Sequence, residues 1–118
     1  MLFRSSSVLI QPWVSLVKHR LRRAGLFFND HVFGIAASGA MNEEALLKII
    51  ARLPAGVTEI YSHPAATSGA ITASMSDYRH ADELAALMSP RVRAALGQTG
   101  VERGGFRDLP RVAGIRAS

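Results

Sequence analysis

The residue in this sequence best suited to chemistry is a histidine at the end of a short strand-like stretch. Residues 56–64 read Gly-Val-Thr-Glu-Ile-Tyr-Ser-His-Pro, and side chains such as Val57 and Ile60 are typical of a buried strand. Because Pro64 cannot donate to a strand ladder, the predicted strand stops at His63. Ligands bind at the carboxyl ends of strands in sheets with helical crossovers. Imidazole exchanges a proton near neutral pH, so His63 is the first candidate for catalysis.

Polar residues also flank an earlier stretch, 29–36, which is predicted to form a turn followed by a strand. Asp30 and His31 precede this strand, at the end where barrel residues usually serve stability. Adjacent side chains on a strand diverge, so we favour a structural role for both, with contact to metal or substrate as the alternative. Ser38 and Gly39 follow the same strand and are better placed to line a site.

Potential metal ligands are present but dispersed. No helical or strand spacing brings three Asp, Glu or His residues together, so we expect no metal site within this chain. Cysteine is absent, which excludes disulfides and thiolate ligands. Glu59 lies in the middle of the second predicted strand, either as an inward-facing acid or, as we favour, as an ion-pair partner. Tyr78, Arg79 and His80 either line a loop above the site or form a surface cluster where a helix starts.

Composition limits the class of protein. The chain has 118 residues, which is enough for one domain with a core, and 48% are hydrophobic, which argues against disorder over most of its length. No apolar run approaches the roughly 20 residues that a membrane-spanning helix needs. Gln11 and Pro12 interrupt the apolar start, so we expect no signal peptide and a cytoplasmic location, with a transit peptide as the alternative because the start contains arginine and serines.

The formal net charge of +5 is unevenly distributed and is densest at residues 18–23, from Lys18 to Arg23. On a helix these residues lie opposite an apolar face. That face comprises Trp13, Leu16, Val17, Leu21 and Ala24. The simplest interpretation of the basic residues is a solvated outer face; the alternative is contact with phosphate or anionic lipid.

The predicted elements alternate between helix and strand. Residues 1–11 have no clear period, and either contain a short strand at 8–10 or are a ragged start. We predict helices at 12–24, 42–53, 78–88 and 89–96, strands within 29–36 and at 57–62, a third strand at 101–106, a long loop at 64–76 and a loose tail at 107–118. Asn42 and Ser89 are the predicted N-caps, and Gly25 and Gly97 are predicted to end their helices.

The short connections of the strand–helix–strand unit are typical of a parallel pair with a right-handed crossover. A complete (β/α) barrel takes about 250 residues, which this chain does not have. We therefore predict an α/β fold in which residues 1–118 form a single partial domain. It is a partial (β/α) barrel-like fragment with two or three parallel strands and covering helices.

Several segments together resemble the YdjC-like carbohydrate deacetylases. They are Asn-Asp-His-Val-Phe-Gly at 29–34, Ser-Gly-Ala-Met at 38–41, Leu-Pro-Ala-Gly-Val-Thr-Glu-Ile-Tyr-Ser-His-Pro at 53–64, Tyr-Arg-His-Ala-Asp-Glu-Leu at 78–84, Ser-Pro at 89–90 and Phe-Arg-Asp-Leu at 106–109. The resemblance is to the carboxyl-terminal half of the family only, and is nearest to its hopanoid biosynthesis-associated (HpnK) branch.

The resemblance implies a barrel-like fold and metal-dependent removal of an acetyl group from an N-acetyl amino sugar. The divalent metal, Mg or Zn, is held in the family by an aspartate and two histidines of the amino-terminal half, whose motifs are not found here. The chain is therefore expected to be a carboxyl-terminal portion, inactive alone and binding no metal alone. The implied partners are an N-acetylated amino sugar or glycosylated hopanoid, the missing amino-terminal half, and a second copy of the chain.

The resemblance also assigns roles to residues. His63 becomes the general acid or transition-state stabiliser of the complete enzyme. The expected substrate-binding residues are Ser38, Gly39, Pro64, Tyr78 and Arg79.

The alternative function is a small basic binding module that contacts nucleic acid or an anionic membrane through the face from Lys18 to Arg23. Phosphate-driven binding would weaken steeply with salt. Against it, no aromatic residues interleave with the basic cluster, so we expect no specific nucleic-acid partner and keep peripheral membrane contact as an option.

Overall fold

The computed structural model describes residues 3–67 and 72–109. Internal contacts divide these residues into two compact units, one formed by residues 3–28 with 104–109 and the other by the described residues between 29 and 103. The prediction of a single partial domain over 1–118 stays a prediction. Most of the predicted tail, residues 110–118, lies outside the described residues, as do residues 68–71 of the predicted loop.

The elements follow the predicted order of helix and strand. They are helix α1 (Phe3–Arg23), strand β1 (His31–Phe33), helix α2 (Glu43–Ile50), strand β2 (Thr58–Ile60), a 3-10 turn (Ala73–Met75), helix α3 (His80–Met88), helix α4 (Pro90–Thr99) and a second 3-10 turn (Phe106–Asp108). The α/β prediction is confirmed at the level of mixed helix and parallel sheet, and the partial barrel stays a proposal.

Strands β1 and β2 are parallel neighbours in a two-stranded sheet, with α2 in the connection between them. Their register pairs His31 with Thr58, Val32 with Glu59 and Phe33 with Ile60. Both strands are shorter than predicted. Gly34 has a φ of 99°, outside the β region, so β1 ends at Phe33. One further bond, from the Tyr61 N–H to the Phe33 carbonyl (2.8 Å), carries the pairing just past β2.

Helix α2 begins as predicted, because the Asn42 side chain accepts a hydrogen bond from the Ala45 N–H at 3.0 Å. Two acidic residues follow in the first turn, where they favour the helix dipole. The helix buries Leu46 and Ile50 against α3 and α4. The core of the second unit consists of Met41, Leu46, Ile50, Ala86 and Val92.

Helix α4 starts as predicted but ends later. The Ser89 hydroxyl accepts from the Arg91 and Val92 N–H groups, and Pro90 takes the first helical position. The prediction that Gly97 ends the helix is wrong. The chain stays helical to Thr99, and Gly100, with a φ of 69°, supplies the left-handed conformation that stops it.

The prediction of a third strand at 101–106 is also wrong. Residues 101–105 form no regular element, and Phe106–Asp108 is a 3-10 turn. Its start is fixed by the Asp108 carboxylate, which accepts from the Gly105 N–H at 2.8 Å. Gly104 allows this carboxylate to approach, since a Cβ there would lie 2.7 Å from Asp108 Oδ2. The Gly105 N–H is therefore bonded to a nearby side chain and not to a neighbouring strand.

Helix α1 begins at Phe3, so neither a strand at 8–10 nor a helix start at Pro12 is correct, and Pro12 lies inside the helix. Trp13 and Val17 of the predicted apolar face are 69% and 53% exposed. Within the described part of the first unit, only a short 3-10 turn accompanies α1, so little is present to bury this face. The guanidinium of Arg22 lies 5.2 Å from the Phe28 ring centroid, in a cation–π contact. No helix among the described residues has the length and apolarity to cross a membrane.

Candidate functional site

The strongest candidate site lies where β2 ends and α3 begins. We use the term histidine cluster for Tyr61, His63, Tyr78, His80 and Glu83, which these two elements and the adjoining loops bring together. The residues span 23 positions in the sequence, from 61 to 83. The cluster follows the carboxyl end of a parallel strand, as the sequence predicts for His63.

The His63 ring is in contact with two tyrosine rings. Its Nε2 lies 3.0 Å from the Tyr61 hydroxyl, and the two ring centroids are 4.6 Å apart in an edge-to-face arrangement. The centroid of the Tyr78 ring lies 4.9 Å from that of His63, with the planes inclined by 67°. His63 Nδ1 is buried and has no hydrogen-bond partner within the described structure. One ring nitrogen is therefore occupied by a hydroxyl and the other is free of protein partners.

The backbone of His63 is also held by side chains. Its N–H donates to Glu83 Oε2, and its carbonyl accepts from His80 Nδ1 at 2.6 Å. Since a carbonyl can only accept, the proton of a neutral His80 lies on Nδ1. His80 Nε2 is then a bare lone pair, buried without a partner among the described residues.

Glu83 connects the chain after β1 to the chain after β2. It is completely buried, and its two carboxylate oxygens accept from two different backbone N–H groups. Oε1 accepts from Met41 at 3.0 Å and Oε2 from His63. A buried carboxylate is costly unless its oxygens are satisfied, and here the backbone satisfies both.

Gly39 is packed directly against the histidine cluster. Its φ is 83°, and a Cβ at this position would lie 2.5 Å from the Tyr78 ring. The Gly39 carbonyl accepts from the Arg79 N–H at 2.9 Å, which fixes the approach of the loop after β1 to the start of α3. The prediction that Gly39 borders the site therefore agrees with its position, and its role in substrate binding stays a prediction.

The other predicted substrate-binding residues have different surroundings. The Ser38 hydroxyl donates to the Ile35 carbonyl at 2.7 Å, so it is engaged within its own turn. The Arg79 guanidinium pairs with Asp82, and both side chains are largely solvent-exposed. Pro64 is exposed beside His63. The roles of Ser38, Arg79 and Pro64 in substrate binding stay predictions.

Asp30, His31 and Glu59 lie away from the cluster. The Asp30 carboxylate accepts from the Val57 N–H at 2.8 Å, and His31 Nε2 lies 3.3 Å from the Ala55 carbonyl, so both contact the chain entering β2. These positions agree with the structural role favoured from the sequence. Glu59 accepts from the Asn29 amide at 3.0 Å, a hydrogen bond in place of the ion pair that the sequence favoured.

The described residues do not fit a divalent metal ion. No group of three His, Asp or Glu side chains among them is arranged to hold one. Within the histidine cluster, both oxygens of Glu83 and the Nδ1 of His80 are already bound to backbone groups. The two unpartnered ring nitrogens, one each on His63 and His80, fall short of the three protein ligands that a catalytic metal usually has.

Sequence reasoning missed Glu83 and left two interpretations of His80 open, of which the structure excludes the surface cluster. His80 is 1% exposed, so it does not belong to a surface cluster at the helix start. A signal was available: His80, Glu83 and Ala86 recur at intervals of three, which places them on one face of a helix. All three are buried. The spacing places the three residues on one face, and the burial of that face in the structure means that the two polar residues need polar partners.

The comparison with protein families gives one match. The model of the family described as YdjC-like protein matches residues 3–98, which is most of the chain. No curated protein and no solved structure matches significantly. The family match includes β1, β2 and the complete histidine cluster, and it lends nothing to the alternative of a basic binding module.

Proposed function

This chain belongs to the YdjC-like protein family, and we propose from that premise that it is a carbohydrate deacetylase-like chain whose reacting residue is His63. In this proposal, the chain is the carboxyl-terminal portion of a metal-dependent N-acetyl amino sugar deacetylase of the hopanoid-associated branch. The portion acts in the cytoplasm together with an amino-terminal half that supplies the metal ligands. Its substrate is an N-acetylated amino sugar or a glycosylated hopanoid.

The observation that carries the proposal is the environment of His63. The residue follows the carboxyl end of a parallel strand, its backbone N–H and carbonyl are both hydrogen-bonded, and one ring nitrogen has no partner in the part of the chain that the structure describes. Structural histidines in a core normally have both ring nitrogens satisfied. An unsatisfied nitrogen on a residue this well fixed supports a role in which substrate or water provides the partner.

Amide hydrolysis defines what His63 would contribute. Water adds to the acetyl carbon, the C–N bond breaks, and the departing amine nitrogen must receive a proton. The His63 imidazolium can donate that proton, or donate a hydrogen bond to the oxyanion that forms before the bond breaks. The Tyr61 hydroxyl at 3.0 Å fixes the ring while the proton is held or released. The described residues of this chain do not fit a metal ion, so the metal ligands are assigned to the amino-terminal half.

The test is acetate release from an N-acetylglucosaminyl substrate by the chain together with the amino-terminal half of a YdjC-like deacetylase and added divalent metal. We expect His63→Ala to lower kcat by about 100-fold, the usual order for a catalytic acid. His31→Ala is the matched control, because His31 contacts the Ala55 carbonyl at the opposite end of the strand pair. Equal activity of His63→Ala and the unsubstituted chain would remove His63 from the mechanism. Acetate release by the chain alone would overturn the requirement for a second half.

A further inference from the structure

One turn of α3 holds both backbone polar groups of His63. Two of its side chains are buried to 1% exposure or less: His80 donates to the His63 carbonyl, and Glu83 accepts from the His63 N–H. We propose that His80 and Glu83 are positioning residues that together set the orientation of the His63 ring for the reaction. We call this pair the α3 clamp. Its role in catalysis rests on the deacetylase function proposed above.

The clamp is suited to this role because it fixes the His63 backbone, whereas the ring itself is held by its contacts with Tyr61 and Tyr78. The ring's only hydrogen bond within the described structure is to Tyr61, a residue whose side chain is itself exposed. The Cα–Cβ direction, and therefore the ring position, depends on the backbone that the clamp fixes. A displacement of about 1 Å at a reacting group can cost roughly 100-fold in rate.

The Glu83 carboxylate adds a second connection. Because its other oxygen accepts from Met41, one buried side chain ties the segment after β1 to the segment after β2. These segments carry Gly39 on one side and His63 on the other. A change at Glu83 should therefore alter the position of His63 relative to the Gly39 turn.

His80 offers a specific chemical test, because the clamp uses only its Nδ1–H. An asparagine amide nitrogen occupies nearly the position of Nδ1, whereas a glutamine amide nitrogen lies nearer that of Nε2. His80→Asn thus keeps the donor to the His63 carbonyl, and His80→Gln moves it away. For Glu83, the isosteric Glu83→Gln replaces one acceptor oxygen by an amide donor that faces a backbone N–H. Glu44→Gln is the matched control, since the Glu44 side chain is 67% exposed.

Two measurements are made on each variant. The first is the NMR ¹⁵N signal of the His63 ring in the 118-residue chain, together with the amide protons of Met41 and His63. The second is kcat and KM for acetate release with the amino-terminal half present. We expect His80→Gln and Glu83→Gln to shift the His63 signals and to lower kcat by about 10- to 100-fold, with KM within about 2-fold. His80→Asn and Glu44→Gln should leave the His63 signals and kcat near those of the unsubstituted chain.

The clamp is overturned if both glutamine variants leave the His63 ring signals and kcat unchanged, or if His80→Asn is as impaired as His80→Gln. Should Glu83→Gln fail to fold, the two His80 variants decide the matter alone. If the unsubstituted complete assembly releases no acetate, the proposed deacetylase function fails. In that case the NMR comparison still judges the clamp: His63 signals that move in His80→Gln but stay in His80→Asn support it, and signals that stay in both reject it.

Discussion

At the residue scale, His63 illustrates how a protein can leave one polar atom unsatisfied without losing order around it. Among the described residues, His63 makes three polar contacts, through its N–H, its carbonyl and one ring nitrogen, and its Nδ1 finds no partner there. A buried polar atom without a partner is unfavourable by about 1–3 kcal/mol. That cost is tolerated where the surroundings fix the residue in one arrangement, which is typical of functional sites.

Gly39 is the residue where a single added carbon should disturb the histidine cluster. Its φ of 83° is unfavourable for any residue with a Cβ, and the added atom would lie 2.5 Å from the Tyr78 ring. We expect Gly39→Ala to lower the free energy of unfolding by about 1–3 kcal/mol. Urea unfolding monitored by circular dichroism measures this change.

Gly97→Ala is the control for that substitution. Gly97 lies inside α4 with nothing within 4 Å of an added Cβ, so alanine should stabilise the helix by about 0.5–1 kcal/mol. Equal effects of the two substitutions would mean that the strain at Gly39 is relieved elsewhere, and would contradict the packing described for the Gly39 turn.

At the element scale, two helices of the second unit, α2 and α4, begin at side-chain caps, which Asn42 and Ser89 provide. Ser89 caps α4 and also donates to the Glu43 carboxylate in the first turn of α2. Glu43 in turn pairs with Arg91 at 2.8 Å. The start of α4 is thus bound to the start of α2, and the buried faces of α2, α3 and α4 meet in the core. This packing supports the helix that carries His80 and Glu83.

Asn42 provides a test of these caps. Removing its side chain in Asn42→Ala leaves the Ala45 N–H without its acceptor, and we expect a loss of about 1 kcal/mol in the free energy of unfolding. Asn42→Asp keeps an acceptor oxygen and places a negative charge at the helix start, so its stability should match or exceed that of the unsubstituted chain. The melting temperatures of the unsubstituted chain, Asn42→Ala and Asn42→Asp measure these differences. Equal melting temperatures for the two variants would show that the cap does not contribute to stability.

At the scale of the whole molecule, the parallel strand pair is unusual in what it leaves exposed. Parallel sheets are normally covered on both faces, yet Val32 is 44% exposed and Tyr61 is 41% exposed. Ile35, just after β1, is 63% exposed. Exposed strands of this kind tend to pair with other chains, which is consistent with the proposal of a second half or a second copy as partner.

Sedimentation velocity across a wide range of concentrations tests this proposal. We expect the chain to self-associate as concentration rises, and Val32→Lys to reduce that association because a charge at an exposed strand disfavours pairing. Leu87→Lys is the matched control, since Leu87 is 48% exposed on α3, away from the strands. A chain that is monomeric throughout, or one that associates equally in both lysine variants, would remove the strand pair as the contact surface.

The sequence by itself predicted the order of the four helices and two strands, and the position of His63 near the end of the second strand. Local signals were sufficient where the cause is local: Asn42, Ser89 and Pro90 act on helix starts within a few residues of themselves. Local signals gave the wrong helix end in α4, where two glycines lie close together. Gly97 and Gly100 are both plausible helix ends, and Gly100 prevails because it adopts a left-handed conformation while Gly97 stays helical.

Only the tertiary structure decided what surrounds His63. Glu83 is adjacent to it through a backbone hydrogen bond although 20 residues separate them, and it reaches Met41 across 42 residues. A sequence pattern can place His80 and Glu83 on one helix face, but it cannot say which backbone groups meet that face. Because both residues are buried, their polar groups must find hydrogen-bond partners within the protein. Those partners are the backbone groups of His63 and Met41.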